Sequence, residues 1–96
     1  MNKKNIGVGV LGAGPLNMTH HMPSVVHNSN CSFEMLCDLN EERLDRCNNL
    51  YHPKKLTTNY DEMLNDPDID LIFIATVPHL QYDLAKKSIE ANKHTF

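Results

Sequence analysis

The chain has 96 residues, 41% of them hydrophobic, so it can bury one modest core and has no room for a second domain of ordinary size. Its formal net charge is -3, and its nine basic residues are scattered, with no stripe able to neutralise a phosphate backbone; nucleic acid is not an expected partner. The longest apolar run, Ile69 to Val77 with Asp70 inside it, falls far short of the roughly 20 residues a membrane helix needs, so a soluble chain with no membrane partner is expected.

The opening Met1-Asn-Lys-Lys-Asn5 is basic, but Ile6 to Leu11 is too short and too glycine-rich for a signal-peptide core, which predicts a cytoplasmic location. The three cysteines, Cys31, Cys37 and Cys47, are odd in number and lack CxxC pairing, so packed, reduced thiols are expected and no zinc site.

Ile6-Gly-Val-Gly-Val-Leu11 reads as a strand buried on both faces and ending at a glycine turn. Pro15 suits the first position of a helix, where its missing N–H has no intrahelical partner; Pro23 then predicts a break near His21 to Met22, with a second helical piece to about His27. Ser32 to Asp38 alternates at first and then turns apolar, which predicts a second strand ending at Asp38. Asn40 can cap the next helix, Glu41 and Glu42 favour its positive end, and Leu44, Cys47 and Leu50 are expected to face the sheet.

Lys55-Leu-Thr57 can form only a very short strand. Asn59 and Glu62 have capping-box spacing ahead of Met63 and Leu64, so a brief helix follows, closed by Asn65-Asp-Pro-Asp68. Ile69 to Ala75 is the strongest strand, and its nearly unbroken apolar character implies helices on both sides of the sheet. From His79, the residues Leu80, Leu84, Ala85 and Ile89 follow helical spacing; Asn92 can end that helix in the left-handed conformation, and His94-Thr-Phe96 begins another strand. The alternation of strand and helix predicts an α/β fold, a doubly wound parallel sheet with right-handed crossovers, strand order 3-2-1-4-5, incomplete at its carboxyl end. An unfinished last strand with an open edge predicts marginal stability for the isolated chain.

The constellation with chemical content is Gly12-Ala13-Gly14-Pro15-Leu16-Asn17, between the first strand and the first helix. Gly12 permits a tight turn, and Gly14 leaves room for a pyrophosphate to reach the backbone and the positive helix end. Pro15 has no N–H, so the donors would be the amides of Leu16 and Asn17, with Ala13 nearby. Two glycines alone fit a plain turn as well as a phosphate site, and the third glycine of the usual pattern is Asn17 here.

The context favours the phosphate: the motif follows a strand, opens a helix, and is succeeded at the next strand's end by Asp38, 26 positions after Gly12 against the usual spacing of about 20. A carboxylate there can accept bonds from both ribose hydroxyls of an adenosine and would repel a 2′-phosphate, which predicts NAD in preference to NADP; the plainer reading of Asp38 is a solvated turn residue. Arg43 is placed to approach the adenine or a phosphate, or to lie on an exposed helix face. A metal held by His20, His21 and His79 is not expected, since adjacent helical histidines diverge and no i, i+4 pair or acidic partner completes a site. Met18, Met22, Met35 and Met63 read as core filler.

These residues resemble the glucose-fructose oxidoreductase and inositol 2-dehydrogenase family, Gfo/Idh/MocA. The matching stretches are Val8-Gly-Val-Leu-Gly-Ala-Gly14, His20-His-Met-Pro23, Cys37-Asp38, Tyr60-Asp-Glu-Met-Leu64, Asp68-Ile-Asp70, Ile74-Ala-Thr76 and Glu90-Ala-Asn-Lys-His94. The resemblance implies an oxidoreductase of several hundred residues. Residues 1–96 would be part of its NAD(P)-binding Rossmann domain, followed by a second α/β domain for substrate and oligomer contacts. It implies hydride transfer to or from a sugar, polyol, inositol or related small molecule, and a homo-oligomeric parent.

It also implies that Ala75, Thr76, Val77, Pro78, His79 and Gln81 form a loop along the cofactor, although Val77, Pro78 and Gln81 depart from the family's Thr-Pro-Asn-x-x-His. The family's Glu-Lys-Pro lysine would come after His94, so no catalytic residue is expected here, and Lys93 is not that lysine. Two other classes remain open: a non-catalytic nucleotide-binding module, and an NAD-dependent glycosidase of the same family.

Overall fold

The structure, a computed structural model, describes residues 6–12, 30–74 and 78–95, with the side chains of residues 78 and 79 left aside. Five strands, β1 (Ile6–Leu11), β2 (Cys31–Cys37), β3 (Lys55–Thr57), β4 (Leu71–Ile74) and β5 (His94–Thr95), form one parallel sheet in the order β3-β2-β1-β4-β5. The expected strand order is thus observed. The helices are α1 (Glu41–Tyr51), α2 (Tyr60–Leu64) and α3 (Pro78–Glu90). The helix and break expected between Pro15 and His27 lie outside the described residues.

Because successive strand residues point to opposite faces, β1 supplies both halves of the core. Val8 and Val10 join Phe33, Leu36, Leu44 and Cys47 on one face, under α1. Leu11 joins Met35, Cys37, Met63, Ile69 and Ile72 on the other, where Leu84 of α3 also packs. Helices therefore cover both faces, as the apolar character of β4 implied, although β4 is shorter than expected and Ile69 and Asp70 precede it.

The mixed pattern of β2 has a physical cause. As β1 advances from Val8 to Gly9, its partner jumps from Phe33 to Met35, so Glu34 is the extra residue of a β-bulge. That insertion reverses the alternation, placing Phe33 and Leu36 on one face and Met35 and Cys37 on the other. Glu34 itself is buried and accepts hydrogen bonds from Ser32 Oγ at 2.6 Å and Lys54 Nζ at 3.0 Å.

One helix face differs from expectation. In α1 the packed positions are Leu44, Cys47 and Tyr51, while Leu50 is exposed. A strict three-residue step falls behind the 3.6-residue turn, and the following four-residue step brings Tyr51 back to the sheet. In α3, Leu84 and Ser88 face the sheet, one turn apart; Leu80 and Ile89 are exposed and Ala85 is half-buried. Ser88 tolerates full burial because its Oγ accepts a 2.7 Å bond from Thr95 Oγ1 of β5.

The caps follow the sequence. Asn40 Oδ1 accepts from Arg43 N at 3.1 Å to open α1, and Asn59 Oδ1 accepts from Asp61 N at 2.9 Å to open α2. Asn92 has φ 64° after α3.

The amino-terminal edge of the sheet is tied by Asp70 and Lys93. Asp70 N donates to Gly7 O at 2.7 Å, Gly7 N donates to Asp70 Oδ2 at 2.9 Å, and His94 N donates to Asp70 O at 2.9 Å. Lys93 Nζ donates to the carbonyls of Asp66 and Ile69, both at 2.7 Å. The buried Asp66 carboxylate pairs with Lys55 at 3.0 Å and accepts from Asp68 N at 2.8 Å. Burial raises its pKa, but the Asp68 N–H and the Lys55 and Lys93 ammonium groups outweigh that and hold it below the usual value.

Candidate nucleotide-binding edge

In a parallel sheet all the strands end on one edge, so Leu11, Cys37, Thr57 and Ile74 bring their successors to the same side of the molecule. Connectivity runs outward from β1 through β2 to β3, then returns to β4 on the other side of β1. The direction of winding thus reverses at β1, and an open α/β sheet takes its ligands at the carboxyl end of the strands where such a reversal falls. Gly12 stands there.

Gly12 N donates to Cys37 O at 2.8 Å, which extends the β1–β2 ladder by one bond, and its φ of 108° turns the chain off the sheet in a conformation that strains any L side chain. Asp38 follows directly on the neighbouring strand. Its backbone N donates to Thr57 O at 3.2 Å, so the residue is held at the tip of β2 between its two neighbouring strands.

The Asp38 carboxylate is positioned by the start of α1. Oδ1 accepts from Asn40 N at 2.8 Å, and Oδ2 lies 3.9 Å from Arg43 Nη1. Asn40 in turn caps α1, so strand tip, turn and helix start form one rigid unit. The Asp38 side chain is 11% exposed, against 51% for Arg43. Beneath it, burial and the nearby charges of Asp38 and Glu62 push the Cys37 thiol up to about 11, so it stays neutral and unreactive near pH 7.

Of the expected cofactor residues, the structure brings Gly12, Asp38 and Arg43 to this edge. Gln81 lies exposed in α3, whose start follows β4. Ala13, Gly14, Pro15, Leu16, Asn17, Ala75, Thr76 and Val77 lie outside the described residues, as does the His79 side chain. A carboxylate with about four lone-pair positions, beside a glycine whose φ excludes side chains, fits the ribose end of a nicotinamide dinucleotide.

Leu39 went unremarked in the sequence, although it separates Asp38 from the cap Asn40 and is 87% exposed. Among the described residues, no group of three or more His, Cys, Asp or Glu side chains could hold a metal ion, and no helix is long and apolar enough to cross a membrane. Cys31, Cys37 and Cys47 are thiols, with Cys37 and Cys47 buried.

Residues 6–96 match the model of an oxidoreductase family with an NAD-binding Rossmann fold, GFO_IDH_MocA. An uncharacterized oxidoreductase of Bacillus subtilis, YrbE, is 28% identical over 93 residues, covering 97% of this chain and 27% of the relative. The scyllo-inositol dehydrogenase of Lactobacillus casei, solved with NAD(H) and scyllo-inositol, superposes with a TM-score of 0.87 at 21% identity, over 97% of this chain and 27% of that one. KijD10, a 3-ketoreductase of Actinomadura kijaniata solved with NADP, gives 0.89 at 17% identity, over 96% and 29%. These likenesses establish the fold, and the chain spans a little over a quarter of the length of each of these relatives.

Proposed function

This chain belongs to that oxidoreductase family, and from this premise we propose that its carboxyl-terminal sheet edge binds NAD(H) in preference to NADP(H) through Asp38. The observation that carries the reading is the Asp38 carboxylate, anchored by Asn40 N at 2.8 Å on the strand next to Gly12. The diphosphate lies against the backbone at Gly12, Ala13 and Gly14, with the amides of Leu16 and Asn17 as donors and Pro15 opening the helix. Asp38 accepts the ribose hydroxyls, and its charge opposes a 2′-phosphate.

Arg43 lies beside that carboxylate, within reach of the adenine or a phosphate. The loop of Ala75, Thr76, Val77 and His79, with Gln81 beyond it, runs along the cofactor. The bound dinucleotide supplies hydride chemistry, while this chain's residues hold and orient it. In the whole protein the reaction partner is a sugar, polyol, inositol or related small molecule, handled by groups beyond this chain. Cytoplasmic location and a homo-oligomeric assembly belong to the same reading.

The test is titration of the chain with NADH and NADPH, before and after Asp38→Ala. Charge-assisted bonds to ribose contribute on the order of 1.5–3 kcal/mol, so NADH binding should weaken by roughly 10- to 150-fold, and NADPH binding far less. Equal losses for the two cofactors, or tighter binding of NADPH to the unaltered chain, would refute the ribose contact.

A further inference from the structure

Among its described side chains, α3 has a small apolar hold on the sheet. Leu84 packs against the core, whereas Leu80, Tyr82 and Ile89 are exposed. Hydroxyl groups supply the directional contacts. Tyr60 OH donates to Leu84 O at 3.0 Å and lies within reach of the Ser88 hydroxyl, and the fully buried Ser88 Oγ accepts from Thr95 Oγ1 at 2.7 Å. Leu84 and Ser88 are one turn apart, so α2, through Tyr60, and β5, through Thr95, hold α3 at one place.

That anchor joins two halves of the sheet. β1, β2 and β3, with Gly12 and Asp38, make up one mononucleotide half of a doubly wound sheet, and β4, α3 and β5 belong to the other. Tyr60 opens α2, on the connection from β3 to β4, and its phenol reaches from that connection into the second half. Apolar packing is non-directional and lets a helix slide, whereas a hydrogen bond fixes it along its axis. Leu84 is about 9 Å along the helix axis from Pro78, so an axial shift at the anchor of a stiff helix reappears at the start of α3, which follows β4.

We propose that Tyr60 and Thr95 are positioning residues for dinucleotide binding: by holding Leu84 O and Ser88 Oγ they set the axial position of α3, and with it the segment joining β4 to α3, for the nicotinamide half of the cofactor. This assignment rests on the reading of the edge as an NAD(H) site and adds to it two residues that act without touching the ligand. The adenosine half belongs to the other side of β1, with Gly12 and Asp38, and is independent of where α3 stands.

The experiment titrates NADH, and separately ADP, which carries the adenosine half without the nicotinamide, into the unaltered chain, Tyr60→Phe, Thr95→Val and Asp38→Ala. Affinities are read by isothermal calorimetry at a temperature where circular dichroism shows each protein folded. Tyr60→Phe and Thr95→Val keep the shape of the side chain and remove its hydroxyl. Each should bind NADH about fivefold more weakly and ADP within about twofold of the original, while Asp38→Ala weakens both ligands.

A role in stability alone lowers the melting temperature and moves neither affinity while the protein is folded. NADH affinity unchanged in either folded hydroxyl variant therefore overturns the positioning role, and so does an equal loss of ADP. In both cases weakening of NADH and ADP by Asp38→Ala leaves the ribose assignment standing. Absence of NADH binding by the unaltered chain overturns the positioning role and the ribose assignment together.

Discussion

The sharpest structural prediction concerns two glycines of β1 that look equivalent in the sequence. A methyl group on Gly7 would overlap the carbonyl oxygen of Asp68 and stand 2.9 Å from its carbon, and both are backbone atoms. Relief requires the segment from Asp66 to Asp70 to move outward, yet Lys93 holds the Asp66 and Ile69 carbonyls and Asp70 exchanges two bonds with Gly7. Losing that pair costs about 1 kcal/mol per bond, and residual overpacking about 1–3 kcal/mol, so Gly7→Ala should destabilise by about 3–5 kcal/mol.

On Gly9 the same methyl group would meet Met63 Sδ at 2.9 Å and its Cε at 3.2 Å, atoms at the flexible end of a side chain. The cost there should be about 1 kcal/mol, partly offset by the lower chain entropy of unfolded alanine. Urea unfolding followed by far-ultraviolet circular dichroism measures both. At about 4–8 °C per kcal/mol, Gly7→Ala should melt at least about 12 °C lower than the original chain, and Gly9→Ala only a few degrees lower. If Gly9→Ala proves as damaging as Gly7→Ala, the idea that backbone approach distinguishes the two positions is wrong.

Further expectations follow from the buried ionisable groups. Cys37 and Tyr60 have pKa values raised to about 11 and about 12, each chiefly by burial, so the folded state holds protons that the unfolded state releases; stability should fall as pH rises from about 9 to 12, and Cys37→Ala should flatten the first part of that decline. Asp66 has a lowered pKa, so its contribution is present above pH 3.8 and lost as pH falls through the lower folded value; Asp66→Asn should reduce stability near neutrality and blunt the acid transition. A thiol reagent at neutral pH should label the half-buried Cys31 before the buried Cys37 and Cys47, and faster labelling of Cys37 would contradict its burial.

Much of this molecule was readable without coordinates. The five strands, the caps Asn40 and Asn59 and the left-handed Asn92 follow from local chemistry, namely apolar periodicity and side chains that can bond their own backbone, while the strand order follows from the alternation of strand and helix and the general rule for connections in parallel sheets. Such local features involve neighbours a few residues apart. Their signal is carried along the chain itself.

What only tertiary structure decided involves residues far apart in sequence. The bulge at Glu34 reverses the parity of β2, and it is defined by pairing with β1, some two dozen residues away. Leu80 and Ile89 share the apolar spacing of Leu84 but not its burial, because the tilt of α3 is set by where Ser88 meets Thr95 and where Tyr60 donates to the Leu84 carbonyl at 3.0 Å. Periodicity tells that a helix has an apolar side. Which of its residues reach the sheet depends on the position of the partner surface.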